Sequence, residues 1–131
     1  MQIHQSAEDY LETILMLTQR MGRVRSIDVV NELGYTKASV SIAMKKLREN
    51  GYIAVDGEGN LTLLEPGREI AERIYSRHRL LTHFFVQLGV DEEVAAEDAC
   101  KAEHILSEQT LKKIREYALL HDAEDSVQRF E

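Results

Sequence analysis

The chain has 131 residues, with 16 Lys+Arg against 23 Asp+Glu for a formal net charge of -7, and is 44% hydrophobic and 30% charged. That length holds one or two small domains around a real core, and the composition excludes a disordered acidic tail and a coiled-coil rod. No apolar run reaches the roughly 18 residues of a membrane span. The first residues lack the basic and apolar regions of a secretory signal, and the single cysteine fits a reducing cytoplasm.

In chain order, residues 4–21 read as a helix, because Tyr10, Ile14, Leu17 and Met21 recur at three- and four-residue steps before Gly22 ends it. A short helix follows, with Ser26 as its expected N-cap and Gly34 as its stop. Thr36 caps a third helix over about 37–50, whose apolar stripe is Val40, Ala43, Met44 and Leu47. Residues 52–55 and 61–64 are two β-prone runs around the turn Asp56-Gly57-Glu58-Gly59-Asn60, which predicts a hairpin. Helix, turn, helix and hairpin in succession predict a winged helix-turn-helix. Pro66 suits the first turn of a long helix to about Gln87, carried by Ile70, Ile74, Leu81, Phe84 and Phe85. A fifth helix is expected over about 92–106. A sixth follows from Ser107, its cap, to about Leu120, and the polar residues 121–131 read as either a short helix or a loose tail. The expected architecture is mainly α, with residues 1–72 as a winged helix-turn-helix domain and 73–131 as a helical domain.

Charge is unevenly placed. Residues 20–50 hold seven basic side chains against three acids, a net +4, whereas 76–131 hold seven bases against twelve acids. The third helix offers Lys37, Ala38, Ser39, Ser41, Ile42 and Lys45 away from its apolar stripe, with Thr36 at its start. Small polar groups with lysines behind them suit a helix entering the major groove. Arg23, Arg25, Lys46 and Arg48 are candidates to neutralise backbone phosphates. A solvated helical face would carry the same charges; the hairpin that follows favours DNA.

Cys100, Glu103 and His104 stand at i, i+3 and i+4, one face of the expected fifth helix. Thiolate, carboxylate and imidazole are all transition-metal ligands. The same triplet reads equally well as a buried cysteine beside an exposed Glu and His. Asp9 and Glu12 share a face of the first helix, by themselves an ordinary solvated face, and His78 lies between two arginines of the fourth. The sequon Asn60-Leu61-Thr62 falls in the hairpin, and the acidic glycine-rich turn lacks calcium-loop spacing. Cys100 with His104 lacks the orienting group a nucleophile needs, so an enzyme is not expected.

Four strings in this order resemble the metal-dependent transcriptional repressors related to diphtheria toxin repressor and manganese transport regulator, the DtxR/MntR family. They are Glu8-Asp9-Tyr10-Leu11-Glu12-Thr13-Ile14, residues 36–47, Arg77-His78-Arg79-Leu80-Leu81, and residues 99–107 around Cys100. The resemblance implies a helical half that binds metal and dimerises, and a divalent cation held by Asp9, Glu12, His78, Cys100, Glu103 and His104. Asp9 and Glu12 match the manganese-type members, whereas Cys100 and its surroundings are similar to the iron-type ones. Thr82 stands where iron-type members carry an acid of an ancillary site. Because a thiolate favours later ions, Fe²⁺ is the expected metal and Mn²⁺ the alternative, at one or two ions per subunit. The implied partner is a pseudo-palindromic operator in double-stranded DNA, bound by a homodimer in the cytoplasm with no membrane involved. A thiol-redox switch at Cys100 is the competing regulator.

Overall fold

A computed structural model describes residues 5–130, with side chains to residue 123. The elements are α1 (Gln5–Met21), α2 (Ser26–Leu33), α3 (Lys37–Glu49), β1 (Ile53–Val55), β2 (Leu61–Leu63), α4 (Glu65–Gln87), α5 (Glu92–Ala102) and α6 (Glu108–Phe130). The chain divides into two compact units between Ile74 and Tyr75, so the first three turns of α4 belong to the first unit. Among the described residues, no helix is long and apolar enough to cross a membrane.

The first unit is a winged helix-turn-helix. Leu11, Ile14, Leu15 and Leu17 of α1 are buried together with Val29 of α2, Val40, Met44 and Leu47 of α3, and Ile53, Leu61 and Leu63 of the hairpin. Gly34 takes φ 72°, a left-handed conformation that stops α2 at little cost, and its N–H closes onto the Val30 carbonyl at 2.8 Å. Thr36 caps α3, its Oγ1 accepting the Ser39 N–H at 3.1 Å. β1 and β2 pair antiparallel, Ile53 opposite Leu63 and Val55 opposite Leu61. The wing has a third edge not expected from sequence. Leu61 N–H donates to the Val24 carbonyl at 2.7 Å, and Arg25 bridges Asn60.

The cap of α2 differs from expectation. Arg25, not Ser26, is the N-cap, in extended conformation, and its N–H donates to the Asp28 carboxylate at 2.9 Å. The Asp28 carboxylate reaches back to the N-cap backbone, the returning half of a capping box, and an acid in the first turn also favours the helix dipole.

In the second unit, Leu81 of α4, Ala99 of α5 and Leu111 of α6 form a buried cluster, with Leu80, Phe85, Ala102, Leu106 and Ile114 packed on it. Ser107 caps α6, its Oγ accepting the Thr110 N–H at 3.1 Å. Two helix ends depart from the sequence expectation. α5 stops at Ala102 rather than near 106, because the Ile105 N–H closes onto Ala102 at the tighter three-residue spacing. α6 continues through the polar stretch to Phe130 rather than ending near Leu120.

Candidate metal centre

Cys100, Glu103 and His104 lie at the C-terminal end of α5, with Cys100 on the helix and Glu103 as its C-cap. Glu103 keeps helical dihedrals, φ -59° and ψ -24°, and its N–H donates to the Ala99 carbonyl at 2.9 Å, so the tightening comes only at Ile105. The three differ in burial: Cys100 is exposed, while Glu103 is fully buried and the His104 side chain is 2% exposed.

Glu103 is the centre of a compact donor group within the second unit. Its Oε2 lies 2.9 Å from His78 Nδ1, bringing α4 and the 103–104 turn together. Its Oε1 lies 3.4 Å from His104 Nε2 and accepts no hydrogen bond among the described residues. An acceptor buried without a donor is costly. Two ligands each about 2.1 Å from a cation and at tetrahedral angles stand about 3.4 Å apart, so this pair is spaced as donors sharing one ion would be. A carboxylate and two imidazoles fit Mn²⁺, Fe²⁺ or Zn²⁺.

On α1, in the first unit, Asp9 is half-buried and Glu12 is 6% exposed. Glu12 is thus no part of a solvated face. Burial pushes the Tyr10 phenol up, helped by Tyr35 and by the negative charge of Asp9. Tyr10 and Tyr35 meet edge to face, with centroids 5.9 Å apart.

The DNA-facing candidates are all exposed: Arg23, Arg25, Thr36, Lys37, Ala38, Ser39, Ser41, Ile42, Lys45 and Lys46. Two of them carry structural duties. Thr36 Oγ1 caps α3 and donates to Ser39 Oγ at 2.9 Å. The Arg25 guanidinium lies against Gly59, 3.4 Å from where a β-carbon at that glycine would stand. Ile42 is 58% exposed on α3, a large apolar group turned to solvent. A shallow pocket of about 240 Å³ lined by Ser26, Ser41, Lys45 and Arg48 adds Ser26, which sequence reasoning placed as a cap, to this face.

Sequence reasoning also passed over Arg77. In the sequence it stands only within the string Arg77-His78-Arg79-Leu80-Leu81, whereas in the fold its Nη1 donates to the Glu103 carbonyl at 3.2 Å. Nothing in its spacing from residue 103 could signal that contact, which depends on where α5 ends.

Residues 2–61 match the family model described as iron dependent repressor, N-terminal DNA binding domain, and residues 64–123 match iron dependent repressor, metal binding and dimerisation domain. The HTH-type transcriptional regulator MntR of Lysinibacillus sphaericus is 32% identical over 127 residues, 96% of this chain and 91% of that one. An uncharacterized HTH-type transcriptional regulator of Methanocaldococcus jannaschii is 35% identical over 113 residues, 85% of this chain and 90% of its own length. Among solved structures, a manganese-dependent transcriptional repressor in complex with manganese is similar, with a TM-score of 0.78 and 28% identity over 86% of this chain and 52% of that one. The chain spans about half the length of this repressor and of two further solved regulators, of the SloR and MtsR types.

Proposed function

The chain belongs to the iron-dependent repressor family, the DtxR/MntR group of metal-dependent, DNA-binding transcriptional regulators, and from that premise we propose that it is a homodimeric repressor whose hold on a pseudo-palindromic operator depends on a divalent cation. Residues 1–72 are the DNA-binding part in this reading and 73–131 the metal-binding and dimerising part. A DNA-bound regulator acts in the cytoplasm. The observation that carries the metal reading is the buried Glu103 Oε1, without a hydrogen bond among the described residues and 3.4 Å from His104 Nε2.

Glu103, His104 and His78 are the donors supported by geometry. Asp9 and Glu12 are further donors supported by the resemblance, which offers Cys100 as a sixth if the ion is Fe²⁺. A bound divalent ion supplies two positive charges among acidic side chains. Glu103 and His104 present a carboxylate oxygen and an imidazole nitrogen from a turn held off solvent. On α3, Lys37, Ala38, Ser41, Ile42 and Lys45 meet base edges, while Arg23, Arg25 and Lys46 meet phosphates. Exposed Leu88, Val94, Ile105, Leu119 and Leu120 of the second unit are the apolar surface a second copy would cover.

Between the two ions, the case for Fe²⁺ rests on the Cys100 thiolate. Cys100 is exposed, the described cluster offers only oxygen and nitrogen, and several relatives are named MntR, so we place Mn²⁺ first and Fe²⁺ second. The test is anaerobic fluorescence anisotropy on duplex DNA selected from a random library by the Mn²⁺-loaded protein. Binding is expected to require Mn²⁺, to be lost in Glu103→Gln and His104→Ala, and to survive Cys100→Ser. Metal-independent binding overturns the repressor mechanism. Loss of the metal response in Cys100→Ser, with Fe²⁺ the stronger activator of the unmodified chain, gives the site to iron.

A further inference from the structure

The guanidinium of Arg77 reaches both ends of the connection between α5 and α6. Nη1 donates to the Glu103 backbone carbonyl at 3.2 Å, and Nη2 pairs with the Glu108 carboxylate in the first turn of α6. The Arg77 side chain is only 14% exposed, whereas that of Glu108 is 79% exposed. Because α5 ends at Ala102, the Glu103 carbonyl is one of the acceptors that a helix terminus leaves without an intrahelical donor. Arg77 supplies that donor from α4, one residue before His78. The same helix turn thus carries a ligand candidate and the group that fixes the backbone of the next.

We propose that Arg77 is a positioning residue for the metal donors: its hold on the Glu103 carbonyl fixes the turn from which the Glu103 carboxylate and the His104 imidazole project. The proposal rests on the metal-binding reading above. A ligand must be held to within about 0.5 Å to coordinate well, and a turn of a few residues between two helices cannot do that unaided. The planar fork of arginine holds two acceptors at once with fixed geometry, which a lysine ammonium does not.

Two roles for Arg77 predict different outcomes. As a stabilising link between α4 and α6 it acts through the Glu108 pair, and removing either partner costs the same. As a positioning residue it acts through the Glu103 carbonyl, a contact Glu108 does not make. The experiment measures Mn²⁺ affinity of the full chain without DNA, from the free-ion electron paramagnetic resonance signal, beside the urea midpoint of the metal-free protein. Arg77→Gln is expected to weaken Mn²⁺ binding by about 10-fold or more, the usual effect of losing an outer partner of a metal ligand. Arg77→Lys is expected to recover only part of that loss. Glu108→Gln is expected to bind Mn²⁺ like the unmodified chain while sharing whatever urea shift Arg77→Gln shows.

Unchanged Mn²⁺ affinity in Arg77→Gln overturns the proposal, as does an equal loss in Glu108→Gln. Should Arg77→Gln fail to fold, Arg77→Lys decides: full Mn²⁺ affinity there overturns the proposal, and a loss with an unshifted urea midpoint upholds it. The parent reading fails separately, and takes the proposal with it, if the unmodified chain and Glu103→Gln bind Mn²⁺ equally.

Discussion

Asp56 organises the wing through one carboxylate. Its Oδ1 accepts the Glu58 and Asn60 N–H groups at 2.9 Å each, and its Oδ2 accepts Asn60 Nδ2 at 3.0 Å. The Asn60 side chain, then the Asn60 backbone, hold this carboxyl below the usual carboxylate range. A depressed folded value means the turn is stabilised above the ordinary Asp value of about 3.9, and the contribution fades as pH falls through the lower folded value. Amide exchange at Glu58 and Asn60 should accordingly accelerate, beyond the intrinsic pH trend, only below about pH 4. In Asp56→Ala those two amides should exchange fast at every pH, and protection unchanged by that substitution would mean the strands alone hold the turn. The acidic, glycine-rich string was legible as a turn because every residue in it favours one. The same scale was opaque at Glu103 and Arg77. Their partners lie 25 to 31 residues away, and no local pattern encodes a contact at that distance.

Elements rest on points where chain segments approach closely. Gly67, in the first turn of α4, packs against the backbone of Tyr52, and a β-carbon there would collide with the Tyr52 carbonyl and sit 3.3 Å from a Leu11 methyl. That carbonyl is not free to retreat, since it accepts the Leu64 N–H at 3.0 Å. Alanine in a helix normally gains about 1 kcal/mol over glycine. Here the clash outweighs that gain, so Gly67→Ala should lose about 1–3 kcal/mol in urea denaturation, as overpacked sites do; a stabilised variant would show that α4 can slide. The helices themselves were legible, because apolar spacing and capping residues at Thr36 and Ser107 are local signals. Their ends were less so. The stop of α5 at Ala102 has no glycine or proline to mark it, and the extension of α6 to Phe130 runs through residues too polar to show a buried stripe. The α2 cap stands one residue earlier than the sequence suggests because Asp28, three residues on, reaches back to the Arg25 N–H. The strand-like pairing of Val24 and Arg25 with the hairpin was missed because two residues carry no period.

At the scale of the whole molecule, the proposed function asks an acidic protein to bind a polyanion. The net charge is -7, yet residues 20–50 carry +4, so approach to DNA depends on a local basic face working against the field of the rest. Cation binding lowers that opposing charge wherever it occurs, and if it also favours the DNA-competent state the two equilibria are linked. Linkage is reciprocal: the factor by which Mn²⁺ raises operator affinity must equal the factor by which operator raises Mn²⁺ affinity, typically about 5–150-fold. Titrating Mn²⁺ with and without saturating operator, and operator with and without saturating Mn²⁺, should return one common factor. Lys45→Ala should weaken operator binding at every Mn²⁺ concentration and leave the Mn²⁺ affinity of the free protein unchanged, because in the proposed reading Lys45 faces DNA and not the cation. Glu103→Gln should weaken the Mn²⁺ affinity of the free protein and with it remove the rise in operator binding that Mn²⁺ produces. A large factor in one direction with none in the other would mean that Mn²⁺ acts on the DNA or on aggregation, and the chain would then be a DNA-binding protein with no metal switch of its own.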